Sequence, residues 1–244
     1  MVASQSPENP NYSGIHDLLS IEEALPTYNE YLCSRIKRYF EKWSPEPFGL
    51  TLEFGAGLGT LAQIYFRKTA IRPEVSEIDP KLIKELHARG FLNHVDLSQI
   101  KNKFRNVYTS NVLEHIKDDF AALKYIHESM LNDSILVIYV PAFPILFSSM
   151  DSRVGHFRRY TKKRLSAITS AAGFSVIECS YSDSVGFFAS FLLKFLDKYS
   201  VLGTGNKKSL VFYDRFVYPI STTLDRVGVR FLFGKNLFLV ARKI

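Results

Sequence analysis

Two glutamates and three glycines recur early in the chain at a spacing that could hold a ligand with a positive end and a sugar. The run Glu53-Phe54-Gly55-Ala56-Gly57-Leu58-Gly59-Thr60 sets a carboxylate just ahead of three alternating glycines. Glycine lets a chain turn tightly and lets its backbone approach a ligand that a Cβ would exclude. A carboxylate beside such a loop repels a pyrophosphate and favours a cation. Glu77 follows roughly 20 residues after the loop, where a strand-end carboxylate can accept both hydroxyls of a ribose. Asp79 is its rival, but it directly precedes Pro80, the pattern of a helix cap and first helical residue, so Glu77 is preferred. Asp96 could accept from an adenine amino group, or could close an Asx turn before Ser98.

The glycine spacing separates two classes of cofactor. A dinucleotide fingerprint wants its third glycine where this chain has Thr60, with pyrophosphate at the helix N-terminus. Here the third glycine is Gly59. Together with Glu53, that favours the cationic end of S-adenosylmethionine, with a nicotinamide oxidoreductase as the outside alternative. Methyl transfer from a sulfonium needs nucleophile, methyl carbon and sulfur held in line, and the protein supplies the positioning. An oxygen or nitrogen acceptor also has a proton to lose, for which histidine is suited. His115 is the first candidate for that base and His156 the second. The competing role for His115 is to bond nearby backbone and hold its own loop.

Such residues act together only if a fold gathers them. Short apolar runs alternating with amphipathic stretches predict βαβ units and a mostly parallel sheet with helices on both faces. The first long helix is predicted over 20–43, opened by Ser20 with Glu23 three residues on and broken at Pro26. Strands are predicted over 50–54 and 75–78, a short one ending at Val95, and others over 107–110, 135–140, 174–181 and 236–241. Helices are predicted from Thr60, over 80–89 behind the Asp79 cap, from Asp118 or Asp119 to 132–133, and over 161–172 with Gly173 as the stop. Ile135 to Val140 is a continuous apolar run, as expected of a strand buried on both faces. Glu53, Glu77 and Asp96 then fall on successive strand ends, the edge where open α/β sheets bind ligands. The whole reads as one domain: a tail and cap helix over 1–46, a Rossmann-like core over 47–181, an insertion over 182–234 and a last strand over 235–244.

Three segments carry a family resemblance. Leu52 to Gly59 resembles motif I of class I S-adenosylmethionine-dependent methyltransferases. Asn111-Val112-Leu113-Glu114-His115-Ile116-Lys117-Asp118-Asp119 resembles the "NVLEHIxDD" segment of the branch that includes ubiquinone-type O-methyltransferases. Asp151 to Tyr160 looks like a bacterial subgroup linked with glycan or natural-product pathways. The resemblance implies a seven-stranded sheet whose last strand is antiparallel. It also implies that Glu53, Phe54, Gly55, Ala56, Gly57 and Gly59 meet the methionine part of the donor. Glu77, with Ile78 beside it, would meet the ribose, Asp96 with Leu97 the adenine, and Asn111 with Val112 the methyl end. Tyr28 and Asn29 resemble the segment that closes over the cofactor. The Asn-Pro-Pro-aromatic motif of amino-group methylases and the Pro-Cys nucleophile of cytosine methylation are missing. No convincing set of carboxylates for a metal-dependent catechol type appears, so no metal is expected. The implied activity is methyl transfer to oxygen or nitrogen of a small molecule in a natural-product or glycan pathway. An RNA or protein methyltransferase and a donor-binding scaffold without turnover are the alternatives.

Charge and composition bound the partners. The net charge of +7 could favour an acidic substrate, RNA or an anionic membrane, or simply give a mildly basic face. No RNA-binding module accompanies the core, so no nucleic-acid partner is expected. Cys33 and Cys179 are the only cysteines, which excludes a disulfide framework and suits a reducing, cytoplasmic compartment. Met1 to Gly14 lacks the apolar run of a signal peptide and reads as a loose tail. Arg158 and Arg159 could clamp a phosphate or carboxylate, whereas Lys162 to Arg164 read as a solvated first helical turn. The aromatic-rich insertion is too short in its apolar run to span a bilayer. It could be a lid, a homodimer surface, or an interfacial element touching a membrane or a lipid-like acceptor.

Overall fold

The computed structural model describes residues 15–91, 96–198 and 207–244. Its strands are β1 (Thr51–Phe54), β2 (Glu74–Ser76), β3 (Phe104–Ser110), β4 (Met130–Pro141), β5 (Phe174–Ser182) and β6 (Asn236–Lys243). They form one sheet in the order β2-β1-β3-β4-β6-β5. The first four run parallel, and β6 lies antiparallel to both β4 and β5. Six strands are thus present among the described residues where seven were expected; the short strand expected to end at Val95 falls outside them.

β4 sits inside the sheet with Ile135 to Val140 fully buried, and its side chains alternate between two cores as a strand requires. Leu136, Ile138 and Val140 join Ala122, Leu123 and Ile126 of α5 (Asp119–Ser129) and Leu165 of α7 (Lys162–Ala171) on one face. Ile135, Val137 and Tyr139 meet the other layer, built from Leu32, Cys33, Ile36 and Phe40 of α2 (Pro26–Trp43) and Leu61, Ile64 and Tyr65 of α3 (Thr60–Thr69). The remaining core helix, α4 (Pro80–Ala88), starts behind Asp79, whose carboxylate accepts from the Lys81 N–H at 2.8 Å. Asp118 and Thr161 cap α5 and α7 in the same way, and the short α6 (Ser149–Arg153) precedes α7 in the chain.

The amino-terminal helix expected over 20–43 is two helices. Helix α1 (Ile15–Ala24) and α2 meet at Leu25, ahead of Pro26. Ser20 lies inside α1, so it is not the cap that its spacing to Glu23 suggested. Pro26 explains the break, because it disfavours helical geometry in the residue before it and has no N–H to continue a ladder. Helix α2 has no side-chain cap of its own. Asp214 supplies one from far along the chain, accepting from the N–H groups of Thr27 at 2.9 Å and Tyr28 at 2.8 Å.

Asp214 belongs to the insertion, which folds as α8 (Ser184–Lys198), α9 (Lys207–Phe212), a π-helical stretch over Tyr213–Val217, and α10 (Tyr218–Arg226). Pro219 lacks the N–H that would bond the Arg215 carbonyl, and the Tyr218 N–H reaches back to the Tyr213 carbonyl, which accounts for the wide turn. Buried carboxylates dock the insertion. Asp225 accepts from the N–H groups of Asp183 and Ser184 at 2.7 and 3.3 Å, and Asp183 accepts from the hydroxyls of Tyr213 and Ser221. Phe187 packs between Phe143 and Phe233, while Phe188, Phe191, Phe212 and Phe216 remain exposed. No helix among the described residues is long and apolar enough to cross a membrane.

Removing the remote cap should cost what a helix cap is worth. Asp214→Ala is expected to lower unfolding free energy by about 1–2 kcal/mol in urea titrations. Asp214→Asn, which keeps an acceptor, should retain about half of that. An unchanged urea midpoint in the alanine variant would show that the contact carries no stability.

Candidate active site

The chain leaves β1 through three left-handed glycines at positions 55, 57 and 59. At Gly55 the reason is close approach: a Cβ there would collide with the methyl groups of Val112, which follows β3. At Gly57 the opposite holds, since a Cβ would meet nothing within 4 Å. The φ of +56° still disfavours any side chain there, so the loop presents bare backbone to open space. Glu77, just past β2, bends back over it. Its Oε2 accepts from the Gly57 N–H at 2.8 Å, and its Oε1 from the N–H groups of Ile78 and Asp79 at 2.7 and 3.1 Å. Ile78 stands beside it, 66% exposed, an apolar side chain at the rim.

Glu53 is buried under this loop and accepts from the Tyr108 hydroxyl at 3.1 Å. Burial pushes its carboxyl up to about 8, and the nearby Glu77 charge adds to the shift. Phe54 packs partly against the main core, and Ala56 joins Val75, Leu86 and Phe91 in a small cluster. Further along the edge, Asp96 opens the 3-10 turn Leu97–Gln99, and its carboxylate accepts from the Gln99 side chain at 3.3 Å. The Leu97 side chain belongs to the core, so only its backbone is placed to meet a ligand.

The second half of the site follows β3. Asn111, itself left-handed at φ +54°, donates its N–H to the Tyr139 carbonyl at 2.8 Å and turns the chain into the 3-10 turn Leu113–His115. Tyr28 reaches the same place from α2. Its hydroxyl meets that of Tyr139 at 3.1 Å, and its ring lies 5.1 Å from that of Tyr218 on α10. Burial raises the Tyr28 phenol above its ordinary value.

His115 and His156 come together here, their rings 4.5 Å apart and nearly perpendicular. Burial, helped by the neighbouring His156, holds the His115 imidazole down at about 4. His156 Nδ1 lies 2.7 Å from Asp151, and Arg159 grips the same carboxylate with Nε and Nη2 at 2.9 and 3.0 Å. Burial alone would raise the Asp151 carboxyl, but His156 and Arg159 outweigh it and hold the group well below the usual range. Glu114 lies beside the pair, 3.9 Å from His156 Nε2, fully buried and with neither carboxylate oxygen hydrogen-bonded. Burial pushes it up to about 8. A main-chain bond from the Phe157 N–H to the Glu114 carbonyl, 2.8 Å, ties the two loops together.

Sequence reasoning named both histidines but missed Glu114 and Asp151. A charged residue between Leu113 and Ile116, in a segment otherwise apolar or aromatic, was the available signal for Glu114. The arginines left open as a ligand clamp have internal partners. Arg158 pairs with Asp119 at 2.7 Å and also donates to the Lys117 carbonyl at 2.7 Å, while Arg159 is engaged with Asp151. Arg164 reaches Asp119 as well, at 3.3 Å, rather than lying fully solvated.

A family model described as a methyltransferase domain matches residues 25–179. No curated protein matches the sequence. Among solved structures, the chain is similar to an S-adenosylmethionine-dependent methyltransferase from Archaeoglobus fulgidus at a TM-score of 0.56 and 18% identity, covering 88% of this chain and 94% of that one. The cyclase SpnF is similar at 0.56 and 16%, covering 88% and 81%. Phosphoethanolamine N-methyltransferase 2 from Haemonchus contortus, in complex with S-adenosylmethionine, is similar at 0.54 and 16%, covering 86% and 52%. At such identities the likeness is one of fold, and the presence of a cyclase underlines that fold and reaction are separate matters.

The buried carboxyls give the ligand-free chain a pH signature. Glu53 and Glu114 titrate near 8 when folded against an ordinary 4.5. The folded state holds their protons longer, so their stabilisation is complete below pH 4.5 and is lost as pH rises towards 8. His115 acts in the opposite sense, but only between its ordinary 6.5 and about 4. Stability should therefore fall between pH 6.5 and 8, and Glu53→Gln should show a shallower fall in urea midpoint over that window. Parallel profiles for variant and parent would contradict the assignment.

Proposed function

The chain belongs to the methyltransferase-domain family, and we propose that it carries a methyl group from S-adenosylmethionine to an oxygen or nitrogen of a small molecule. The observation that carries this reading is the bare backbone at Gly57, whose N–H meets the Glu77 carboxylate and whose loop follows directly on the buried Glu53. A Cβ would fill that space, and the left-handed turn keeps one out. The donor fits the residues present. Glu53 and the glycine loop suit its cationic methionine end, Glu77 its ribose, and the exposed Ile78 side chain the face of its base. When bound, it supplies a methyl group on a positively charged sulfur, which departs as a neutral thioether when the acceptor lone pair takes the carbon.

The acceptor end is framed by Asn111, Val112, Tyr28 and the histidine pair. His115 and His156 are the residues that ease the acceptor's loss of its proton, because their imidazoles sit at the strand-end edge beside the loop that ends in Val112. His156 is held in one orientation by Asp151, as a base is held by its orienting carboxylate. The insertion serves as a lid, tied to the donor-closing helix α2 through Asp214. A natural-product or glycan-related acceptor remains the preferred class, and the two unpaired cysteines, Cys33 and Cys179, suit work in the reducing cytoplasm.

Calorimetry with S-adenosylhomocysteine tests the donor side. Glu77→Ala is expected to weaken binding about 10- to 100-fold, or about 1.4–2.7 kcal/mol. Asp79→Ala, the removal of a helix cap, should change it less than about 3-fold. No measurable affinity in the folded parent chain would end this reading. On the acceptor side, a screen of aminoalcohols, phenols and sugar hydroxyls against labelled donor should identify a substrate. His115→Ala and His156→Ala should then each lower kcat about 100-fold with donor affinity unchanged. Full turnover in both variants would remove the histidines from the mechanism.

A further inference from the structure

Glu114 serves neither the donor grip nor the apolar core. It is fully buried, and both carboxylate oxygens lack a hydrogen-bond partner. A carboxylate in that position either keeps a proton or faces a cation. Its neighbours are those a cation would use. One ligand atom from each of Glu114, His115 and His156 lies within 4.8 Å of the other two. His156 Nε2 is 3.9 Å from Glu114 Oε1, too long for a hydrogen bond. Two atoms sharing a tetrahedral ion at 2.0–2.1 Å would stand about 3.3 Å apart, so each pair would close by no more than about 1.5 Å, within reach of side-chain rotation. The other nitrogen of His156 is tied at 2.7 Å to Asp151, which Arg159 holds in turn. That carboxylate–histidine arrangement fixes the tautomer and aims the remaining lone pair, as it does behind metal-bound imidazoles.

We propose that Glu114, His115 and His156 bind a divalent transition cation of the zinc class, with Asp151 orienting His156. Two imidazoles and one carboxylate suit Zn²⁺, Co²⁺, Mn²⁺ or Fe²⁺ better than Mg²⁺ or Ca²⁺, which prefer all-oxygen shells. No metal was expected from the sequence because it carries no catechol-type group of carboxylates, and a set made of one glutamate and two imidazoles leaves no such mark. Three protein ligands leave a further coordination position open. What happens there rests on the methyl-transfer reading, whereas cation binding itself does not. With a cation bound, both imidazole lone pairs would be occupied, so the histidines would ease proton loss through the cation: an acceptor hydroxyl in the open position would become more acidic and would give its proton to water. Its oxygen lone pair then forms the O–C bond as the S–C bond opens and that electron pair returns to sulfur. The acceptor class this favours is an alcohol or phenol, in preference to an amine.

The test is titration of the chelator-stripped, folded chain with Zn²⁺ by calorimetry and with Co²⁺ by visible absorption. One equivalent should bind with a Kd below about 10 µM, and bound Co²⁺ should develop ligand-field bands. Glu114→Gln and His156→Gln should each weaken binding at least about 100-fold while remaining folded by circular dichroism. Absence of stoichiometric uptake of either metal by the folded parent, or parent-like binding in both variants, would overturn the site. Should a variant not fold, imidazole proton–nitrogen spectra of the parent decide. Two of its six histidines should shift on adding Zn²⁺, and a spectrum without those shifts would refute the site. S-adenosylhomocysteine titrations on the same samples report on the donor reading separately, so the two claims fail independently.

Discussion

The site depends on how closely the segments leaving β1 and β3 approach each other. Val112 occupies the space that a side chain at position 55 would need, and this contact joins the glycine-loop half of the cleft to the half that holds the histidines. The two strands are neighbours in the sheet, yet the chain reaches β2 on one side of β1 and β3 on the other. The connections that leave the two paired strand ends therefore run to opposite sides, β1 towards β2 and β3 towards β4, and leave a crevice, the usual binding edge of an open α/β sheet. The glycine at 55 closes the base of that crevice, and the glycine at 57 keeps its wall bare.

Beside the crevice the protein keeps carboxyl groups in unusual surroundings. Glu53 and Glu114 are both buried, and burial raises both above the normal carboxyl range. Glu53 bonds Tyr108 at the end of β1 beside the glycine loop, whereas Glu114 lies beside the histidine pair that follows β3. Carboxyls in such surroundings cost stability and are retained where a positive partner offsets the cost. Asp151 is the contrasting case, held ionised by the two-pronged grip of Arg159 and by His156. Three acidic groups in one cleft thus have three environments, and their protonation differs accordingly.

Much of the architecture was legible from local pattern. Pro26, Pro80 and Gly173 mark boundaries that the chain respects, because proline geometry and a left-handed stop act within a few residues. The unbroken Ile135–Val140 run identified the central strand, and the separation of Glu77 from Asp79 followed from capping chemistry alone. Long-range partnerships were not legible. Nothing local ties Asp214 to Thr27 and Tyr28, since the cap is supplied across more than 180 residues of chain. Ser20 was misjudged because its spacing to Glu23 imitates a capping box while the helix has already begun at Ile15. The convergence of Glu114 with both histidines depends on the Phe157–Glu114 main-chain bond and the bridge between Ala142 and Tyr160, which no periodicity encodes. Arg158 and Arg159 looked available because their acidic partners lie far or awkwardly placed in sequence.

The π-helical stretch at Tyr213–Val217 has a mechanical consequence. A wide turn accommodates one more residue than an α-helix would, and that extra residue sets the rotational phase of Asp214 and Tyr213. From this short stretch, one side chain holds the start of α2 and the other holds Asp183 at the root of α8. The stretch therefore works as a latch with two bolts on one plate. The cap on the first turn of α2 and the tie to Asp183 at the root of α8 thus share one short piece of backbone, so a displacement of either helix would be felt by the other.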